Sequence, residues 1–494
     1  MKQWNVAGRI AGGLARATQH WRGDLFGGVT AAVVALPLAL AFGVFSGAGA
    51  MAGLYGAVFT GILAALFGGS PVQVSGPTAG MTVVLVPIFQ QYGLSGLYMA
   101  MFLGSVILLL LSFLRVGRYV HLISQPVLSG FTNGIALLIF LQQIDTLRGP
   151  SGAIEPAEAA LAAAVVALML VWPRITLKVP GSLAALVLST VAVRLFWPDG
   201  LSTIGSIPAG WPRLQLGFFS ELPHIAALIK PAVTIALLGA VESLLSAVVV
   251  DEMAGTRHDS DRELFGQGLG NLVATLFGGI VGTGAIVRSA AAVQAGARTR
   301  LTGVIHGVLI LLVAVALGDL AAMIPTATLA GILMGTAINM VDRRSLVDVR
   351  RVPVGDAAIM LTTAAITVVF DLVTAVAVGV LLSMIRFSVA VTDAPLTVKR
   401  MGKVTAIRLT GPLYFGAARP FLNAVDSVPD GTTLVIDLLG VTSVDATGAQ
   451  ALERAYARAT ARGCEVIWSG VQPQVHRVLM RWDRLPVRLT EQTS

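Results

Sequence analysis

Long apolar runs, each close to the length of a membrane crossing, recur along the chain from Phe26 to about Arg386. Only 12% of the residues are charged and the mean hydropathy is +0.81, whereas a soluble domain carries roughly 25% charged residues. A crossing needs about 20 apolar residues, and the backbone inside lipid must pair its own polar groups, so the runs are predicted to be helices. Fourteen helices are predicted, near 25–45, 49–68, 77–92, 95–114, 124–143, 157–172, 181–197, 230–250, 264–280, 284–297, 301–323, 326–341, 354–370 and 372–390.

Two of these segments, 77–92 and 284–297, are weaker candidates for full crossings. The second would span only about 21 Å, against a hydrocarbon core of roughly 30 Å. The first contains Pro77 and Pro87. We expect both to be half-helices preceded by extended chain, which membrane proteins tolerate only where protein or a polar cavity shields it from lipid.

The same four residues precede both interrupted segments, as Leu66-Phe67-Gly68-Gly69 and as Leu276-Phe277-Gly278-Gly279. This echo places the third and tenth helices at equivalent positions of two seven-helix halves, about 24–200 and 222–391. Because seven is odd, the second half inserts upside down. The sequence therefore predicts the inverted repeat of many secondary transporters, whose substrate lies near mid-membrane between the repeats.

Lys and Arg residues predict the orientation, because cytoplasmic loops carry an excess of them. With the N-terminus inside, the outer side holds only Arg148, Arg194, Arg213 and Lys230, and the inner segments hold most of the others. The net charge of +8 is therefore mainly a topology signal, and nucleic-acid binding is disfavoured. We expect a cytoplasmic N-terminal segment at 1–23, a transporter domain at 24–391, both termini inside, and a location in the cell (inner) membrane.

The composition changes after about Val391, where short strand patterns alternate with helix patterns. Residues 404–409 alternate like a strand, 433–438 indicate a buried strand, and 448–462 indicate a helix. This alternation predicts a small cytoplasmic α/β domain at 392–494. Cys464 lies in an apolar run of this domain, and as the single cysteine it allows no internal disulfide.

The chain resembles the sulfate-permease (SulP) anion transporters, which include prestin and pendrin, over nearly its whole length. The resemblance is carried by residues 36–42 of the first helix, 75–79 of the third, and 282–299 around the tenth. The tail around 444–448 resembles a STAS domain, the fold of anti-sigma-factor antagonists. The resemblance implies fourteen helices in a core and a gate domain, an anion site between the third and tenth helices, and a homodimer.

Two facing half-helix N-termini form an anion trap, because each presents unpaired N–H groups and the positive end of a dipole. Small residues there would let an anion reach the backbone; the alternative is that they only permit close helix packing. The candidate ligands at the two helix starts are Gly76, Thr78, Ala79, Gly284, Ala285 and Ile286.

The resemblance adds three further candidates for the substrate site. Phe42 lies where family members place an aromatic ring against the anion, although an isolated Phe would otherwise be assigned to the core or to lipid. Leu38 replaces a Gln found in many relatives, which favours an anion with a carbon skeleton. Arg288 lies where the family has an Arg that supports the field; the alternatives are an ion pair with Glu242 or snorkelling to the cytoplasm.

Glu242 is the only acid well inside the eighth helix. A carboxyl group in hydrocarbon is costly and suggests a functional site, so we expect Glu242 to carry a coupling proton; a structural ion pair or hydrogen bond is the alternative. In the tail, Thr447 aligns with the residue that antagonist proteins phosphorylate. Thr is also a good N-cap, and capping is the role that we expect for it.

These features predict a secondary active anion transporter, proton-coupled, that carries a C4-dicarboxylate such as fumarate or succinate by alternating access. The alternatives are a bicarbonate or sulfate transporter, a passive anion channel, a voltage-responsive motor, or a nucleobase permease, against which the STAS tail argues. No catalytic triad, phosphate loop or metal-ligand pattern indicates an enzyme, a cofactor or a metal. The expected partners are the anion, protons, membrane lipid, a second copy of the chain, and a cytoplasmic protein at the STAS domain.

Overall fold

The chain divides into two compact units, Met1–Val380 and Leu381–Ser494. The computed structural model describes residues 6–122, 124–148, 152–176, 179–197, 201–204, 211–316, 322–348, 353–370, 372–392 and 396–482.

The chain ahead of the C-terminal sheet is almost entirely helical, because apolar chain at membrane depth must pair its own backbone N–H and C=O groups. Their bounds are α1 Val6–Phe45, α2 Ala50–Phe67, α3 Ala79–Phe113, α4 Gln125–Thr146, α5 Pro156–Ile175, α6 Gly181–Phe196, α7 Ile225–Ala254, α8 Ser260–Leu276, α9 Ile286–Gln294, α10 Leu301–Ala316, α11 Thr326–Met340, α12 Arg343–Asp348, α13 Val354–Val369 and α14 Leu372–Thr392. Two 3₁₀ segments lie at Val116–Leu122 and Gly217–His224.

Each of the fourteen predicted segments overlaps a helix, which confirms the predicted helical membrane fold. The third and fourth segments both lie within α3, where non-helical backbone at Gly93 (φ 66°, ψ −170°) separates two helices at a kink, between the predicted segments 77–92 and 95–114. Glycine adopts this left-handed φ without the penalty that a side chain would impose. The eleventh segment was predicted to reach residue 323, but α10 ends at Ala316 and residues 317–321 lie outside the described part.

Within the described residues, six helices are long and apolar enough to cross a membrane. They are Gln19–Phe45, which is the apolar part of α1, and α2, α3, α4, α5 and α7 in full. Shorter apolar helices include α6, α10, α11 and α13. The protein is therefore a multi-pass membrane protein.

The two predicted interruptions are present as short strands ahead of α3 and α9. Strand β1 (Ser75–Gly76) pairs antiparallel with β2 (Thr283–Gly284), with Ser75 opposite Gly284 and Gly76 opposite Thr283. Each strand leads directly into its helix, so the starts of α3 and α9 meet at this crossing. The prediction of helices preceded by extended chain is confirmed.

Helix contacts repeat in matched pairs, as an inverted repeat requires. Helix α3 packs on α7 and α8, and the corresponding helix α10 packs on α1 and α2. In the same way α4 packs on α13, and α5 packs on α11. Helices α2 and α8, which are equivalents in the two halves, pack against each other.

Each of the two Leu-Phe-Gly-Gly segments makes a close backbone contact with a glycine of another helix. A Cβ added to Gly266 of α8 would lie 2.4 Å from the nitrogen of Gly68, and one added to Gly279 would lie 2.6 Å from the nitrogen of Gly56 in α2. Both contacts are with backbone atoms, which cannot rotate away as a side chain does. The echo therefore marks two equivalent helix crossings that require glycine.

The C-terminal unit contains a four-stranded sheet in the order β3–β4–β5–β6. Strands β3 (Leu396–Met401) and β4 (Val404–Leu413) are antiparallel, while β5 (Thr433–Val444) and β6 (Glu465–Ser469) continue the sheet in parallel. Helices α15 (Phe415–Asp426), α16 (Ala446–Ala461) and α17 (Pro473–Trp482) accompany the sheet. Cys464 is buried in this core.

Candidate functional site

The crossing of β1 and β2 is held by side chains from several helices. Asn271 of α8 accepts a hydrogen bond from the backbone nitrogen of Gly282 and donates one to its carbonyl oxygen, both at 2.8 Å. Ser289 Oγ accepts from the backbone nitrogen of Val74 at 2.9 Å. These bonds satisfy extended backbone that lies away from water, and they fix the directions of α3 and α9.

Glu242 of α7 lies directly at the crossing. Its Oε2 accepts hydrogen bonds from Thr78 Oγ1 at 2.8 Å and from Thr283 Oγ1 at 2.9 Å. The two hydroxyl oxygens are themselves 3.1 Å apart. A Cβ on Gly80 would lie 1.9 Å from Glu242 Oε1, so this glycine is what lets the carboxyl group reach the start of α3.

The two helix starts differ in how their first N–H groups are used. Thr78 caps α3, accepting from the nitrogen of Met81 at 3.5 Å, whereas Ala285 supplies no side-chain cap to α9. The backbone nitrogen of Gly284 donates to Ser243 Oγ at 3.2 Å, and that of Ala285 donates to the Val74 carbonyl at 3.0 Å. These two N–H groups were expected to face the anion, but the protein already uses them.

The free donors of the second helix start are therefore displaced by about one residue. Ile286 begins α9 and is 44% exposed. The first-turn N–H groups of a helix have no intrahelical partner. Of the candidates at this helix start, Ile286 is the one whose N–H group belongs to that turn.

Arg288 lies behind the crossing and is almost completely buried, with 2% exposed. Its Nη2 donates to the carbonyl oxygen of Pro77, and its Nη1 has no hydrogen-bond partner among the described residues. The alternatives of an ion pair with Glu242 and of snorkelling to the cytoplasm are both wrong. The side chain instead points at the peptide that precedes Thr78.

A cavity of about 300 Å³ lies beside the start of α3. Phe42 and Ala79 both line it, so the structure brings these two candidates together. Gly76 lies within the strand pair instead, and Leu38 is buried and is not one of the residues that line this cavity. The remaining lining residues are Phe45, Thr82, Val83, Val86, Gln90, Ile139, Gln142, Gln143, Asp145, Thr146 and Leu333.

A second cavity of about 580 Å³ lies beside the turn that leads into β2. Tyr98 lines it and donates from its hydroxyl to the carbonyl of Gly278 at 2.7 Å. Phe218 and Phe277 are aromatic lining residues, and Thr326 contributes the first residue of α11. This cavity contains none of the predicted site residues.

Sequence reasoning missed the buried polar residues that support the crossing. Glu263 of α8 accepts from the backbone nitrogens of Gly69 and Ser70 at 2.8 Å and from the amides of Gln73 and Gln267 at 2.9 Å. Asp24 of α1 is fully buried and accepts from residues 298, 299 and 302, where α10 begins. Both acids lie beside other charged residues in the sequence, so no sequence signal distinguished them.

Thr447 has a different place from the one expected. Asp445 is the N-cap of α16, because its side chain accepts from the backbone nitrogen of Gly448 at 2.7 Å. Thr447 is the second residue of the helix, and its side chain is exposed. The expectation that Thr447 caps the helix is therefore wrong, since the aspartate two residues earlier takes that position.

A pair of interrupted helices that meet inside an inverted repeat defines the architecture of a secondary transporter. Two comparisons with known families agree with this class. The profile of the sulfate permease family matches residues 21–155 and 149–363, and that of the STAS domain matches residues 395–490. The chain belongs to the sulfate permease family.

Relatives match over most of the chain. The putative sulfate transporter YvdB of Bacillus subtilis is 39% identical over 435 residues, which is 81% of each protein. The bicarbonate transporter BicA of Picosynechococcus sp. is 36% identical over 510 residues, covering 93% of this chain and 90% of BicA. The solved transmembrane domain of a cyanobacterial BicA has a TM-score of 0.68 at 36% identity, over 72% of this chain and 97% of that domain. The chain is thus a membrane transporter and not an enzyme.

Proposed function

We propose that this protein is a secondary active transporter that binds a small oxyanion between the starts of α3 and α9 and moves it by alternating access. The observation that carries the proposal is the crossing of β1 and β2, which aims two helix N-termini at one place. Open first-turn amides and aligned dipoles together favour an anion there. Phe42 and Ala79 supply the walls of the adjoining cavity.

Charge favours a singly charged anion such as bicarbonate as the first candidate. Each helix N-terminus is equivalent to roughly half a positive charge, so two of them balance about one negative charge. The relative BicA is named as a bicarbonate transporter. Leu38 is not one of the residues that line this cavity, so the argument for a carbon skeleton that rested on it loses its support.

A C4-dicarboxylate such as fumarate or succinate remains a second candidate, and sulfate is a third. The cavity of about 300 Å³ is larger than bicarbonate requires, and Phe42, Phe45 and Val83 give it an apolar wall. A dianion would exceed the charge of the two helix ends by about one unit. The buried Arg288 guanidinium behind the crossing supplies one further positive charge, which offsets this excess once Glu242 is protonated.

Cation coupling follows from the position of Glu242. An ionised carboxylate hydrogen-bonded to Thr78 and Thr283 would repel any anion that approaches the same helix starts. A proton on Glu242 removes this repulsion, and we propose that the proton and the anion enter together. A sodium ion held by the same carboxylate is the competing possibility.

The tail and the assembly are part of the same proposal. We place both termini in the cytoplasm and the protein in the cell membrane, because the inner loops carry most of the Lys and Arg residues. We further propose that the transporter is a homodimer. The exposed Thr447 on the first turn of α16 is a candidate acceptor for phosphorylation, and the STAS domain is a candidate surface for a cytoplasmic partner.

Uptake into proteoliposomes tests the proposal and ranks the anions. Labelled bicarbonate, sulfate and fumarate are each offered with an inward proton gradient, an inward sodium gradient, or neither. We expect accumulation of bicarbonate against its gradient, driven by protons. Accumulation of fumarate alone would make the dicarboxylate the substrate. Uptake driven by the sodium gradient would make sodium, and not the proton, the coupling ion. Passage of all three anions that never exceeds equilibrium would indicate a channel.

A further inference from the structure

Two buried nitrogen-bearing side chains behind the crossing are incompletely paired. His306 of α10 is fully buried, and both of its ring nitrogens are without a hydrogen-bond partner among the described residues. Arg288 of α9 is also buried, and its Nη1 is unpaired in the same part of the structure. Buried polar groups are normally paired, so each unpaired atom calls for an explanation.

The unpaired atoms of Arg288 and His306 both lie close to the same face of α2. A Cβ on Gly76 of β1 would lie 2.4 Å from Arg288 Nη1 and 3.2 Å from the Cα of Ala57. One turn along α2, a Cβ on Gly61 would lie 3.0 Å from His306 Nδ1 and 3.3 Å from the carbonyl oxygen of Ser75. The strand β1 and the small residues of α2 thus border both side chains.

The chemistry of the two groups is complementary. A guanidinium group has five donors and no acceptor, and a neutral imidazole has one acceptor nitrogen. Ala57, which borders Arg288, and Gly61, which borders His306, are one turn apart on α2, about 6 Å of rise. A buried water that accepts from Arg288 Nη1 and donates to the acceptor nitrogen of His306 pairs one atom of each group.

We propose that His306 is a positioning residue for Arg288. Its acceptor nitrogen receives the free Nη1–H of Arg288 through one buried water, and this holds Nη2 on the carbonyl of Pro77. Pro77 directly precedes Thr78, which caps α3 and donates to Glu242. His306 therefore acts on the anion site through Arg288 without touching the anion, and this inference rests on the proposed function.

Two substitutions at His306 separate an acceptor from a simple packing role. His306→Gln retains an amide oxygen that can accept, whereas His306→Leu fills the space without an acceptor. Removing a hydrogen bond to a charged group is expected to raise KM for the labelled anion by about tenfold in the Leu variant, with the Gln variant within about threefold. The maximal rate should change by less than about twofold in both, because the residue sets the position of the charge and not the conformational step.

A double-mutant cycle tests whether the effect passes through Arg288. In an Arg288→Gln background, or Arg288→Lys if the Gln variant does not fold, His306→Leu should raise KM no further. The same double-mutant cycle is repeated with the melting temperature in detergent, without substrate, as the measured quantity. Coupling between the two residues is also expected in this second cycle. Ile310→Val, which shortens another buried residue on the same helix, is the control for altered packing.

The outcomes distinguish this inference from the proposed function. An unchanged KM in His306→Leu, equal damage from Leu and Gln, or an undiminished Leu effect in the Arg288 background would each overturn it. If the wild-type protein moves none of the labelled anions, the proposed function fails, and the melting-temperature cycle still decides the pairing. Strict additivity in that cycle would then reject the positioning role.

Discussion

At the scale of single residues, the site is built around the carboxyl group of Glu242, which has no cationic partner among the described residues. Glu242 is bound by two threonine hydroxyls, one from each repeat. Hydroxyl donors stabilise a carboxylate less than an ion pair does, so protonation of this group is not strongly opposed. The arrangement suits a residue whose charge changes during transport.

Glu242→Gln is expected to imitate the protonated state permanently. The variant should bind the anion and allow downhill uptake, but acidifying the outside should no longer increase accumulation. A gradient of one pH unit is worth about 1.4 kcal/mol per proton, which limits the wild-type gain to about tenfold. Labelled uptake with and without the gradient measures the difference, and Glu252→Gln, at the exposed end of the same helix, is the control. A Gln variant that still concentrates the anion on acidification would place the coupling elsewhere.

Ala79→Trp is expected to abolish uptake while leaving the protein folded. Ala79 is the first residue of α3 and lines the cavity with Phe42, so an indole there would cover the N–H groups that an anion needs. Ala285→Trp tests the other helix start in the same way. Leu195→Trp, at a 71% exposed position of α6, is the control. Normal uptake by either alanine variant would show that the anion binds somewhere else.

At the scale of elements, glycine-mediated crossings fix how the two repeats meet. Gly266→Ala should lower stability by about 1–3 kcal/mol, because the added methyl group meets backbone atoms of residue 68 that cannot move aside. Gly239→Ala is a matched control on another membrane helix, since its Cβ would meet only side-chain atoms at 3.7 Å. Melting temperatures in detergent measure both. Equal values would mean that the crossing relaxes at little cost.

A hydrogen-bonded Asp-His-Ser chain links the last turns of α7 to the start of α8 through the loop between them. His258 Nδ1 lies 2.7 Å from Asp251 Oδ2, and its Nε2 lies 3.0 Å from Ser260 Oγ. Asp251 also accepts from the backbone nitrogen of His258 and from Thr256 Oγ1, so the chain serves to join the end of one helix to the start of the next. His258→Ala should cost about 1–2 kcal/mol of stability. Urea unfolding of purified protein measures the loss, and an unchanged midpoint would contradict this structural role.

The positions of the helices were predictable from sequence because the membrane imposes one length and one composition on every crossing. The break within α3 was predictable too, since the predicted third and fourth segments end at 92 and begin at 95, on either side of the kink at Gly93. The residues that hold the crossing were not predicted. Glu263 binds the backbone of Ser70, which is distant in sequence, and Asn271 binds the backbone of Gly282 across the turn that leads into β2, so the three-dimensional crossing is what identifies their partners.

The candidate site was predictable in outline and not in detail. Paired helix breaks indicated where α3 and α9 begin, since interruptions are tolerated only where they are shielded from lipid. Which N–H groups remain free depends on strand pairing and on Ser243, neither of which leaves a sequence pattern. The face of α1 on which Leu38 lies was not predictable either. The membrane part of α1 is apolar on all sides, so its helical periodicity does not mark which face meets the site.

At the scale of the whole molecule, the proposed transport site lies entirely within the first compact unit. The strand pair, Glu242, Arg288 and the cavity beside α3 all fall within Met1–Val380. The sheet of the second unit has its own buried core, centred on residues such as Phe421 and Leu434. The second unit therefore contributes no residue to the site described for the first.

A protein that ends after Thr392, the last residue of α14, is consequently expected to bind and move the anion. The crossing keeps all of its hydrogen bonds, so KM should stay within about threefold of the full-length value, a difference of less than 1 kcal/mol. The maximal rate is free to change, because a regulatory tail acts on the conformational step. Uptake by proteoliposomes is measured for the full-length and shortened proteins, with size-exclusion profiles and melting temperatures to establish folding. A shortened protein that is well folded and yet binds no anion would show that the STAS domain completes the site, and transport would then have to be assigned to both units together.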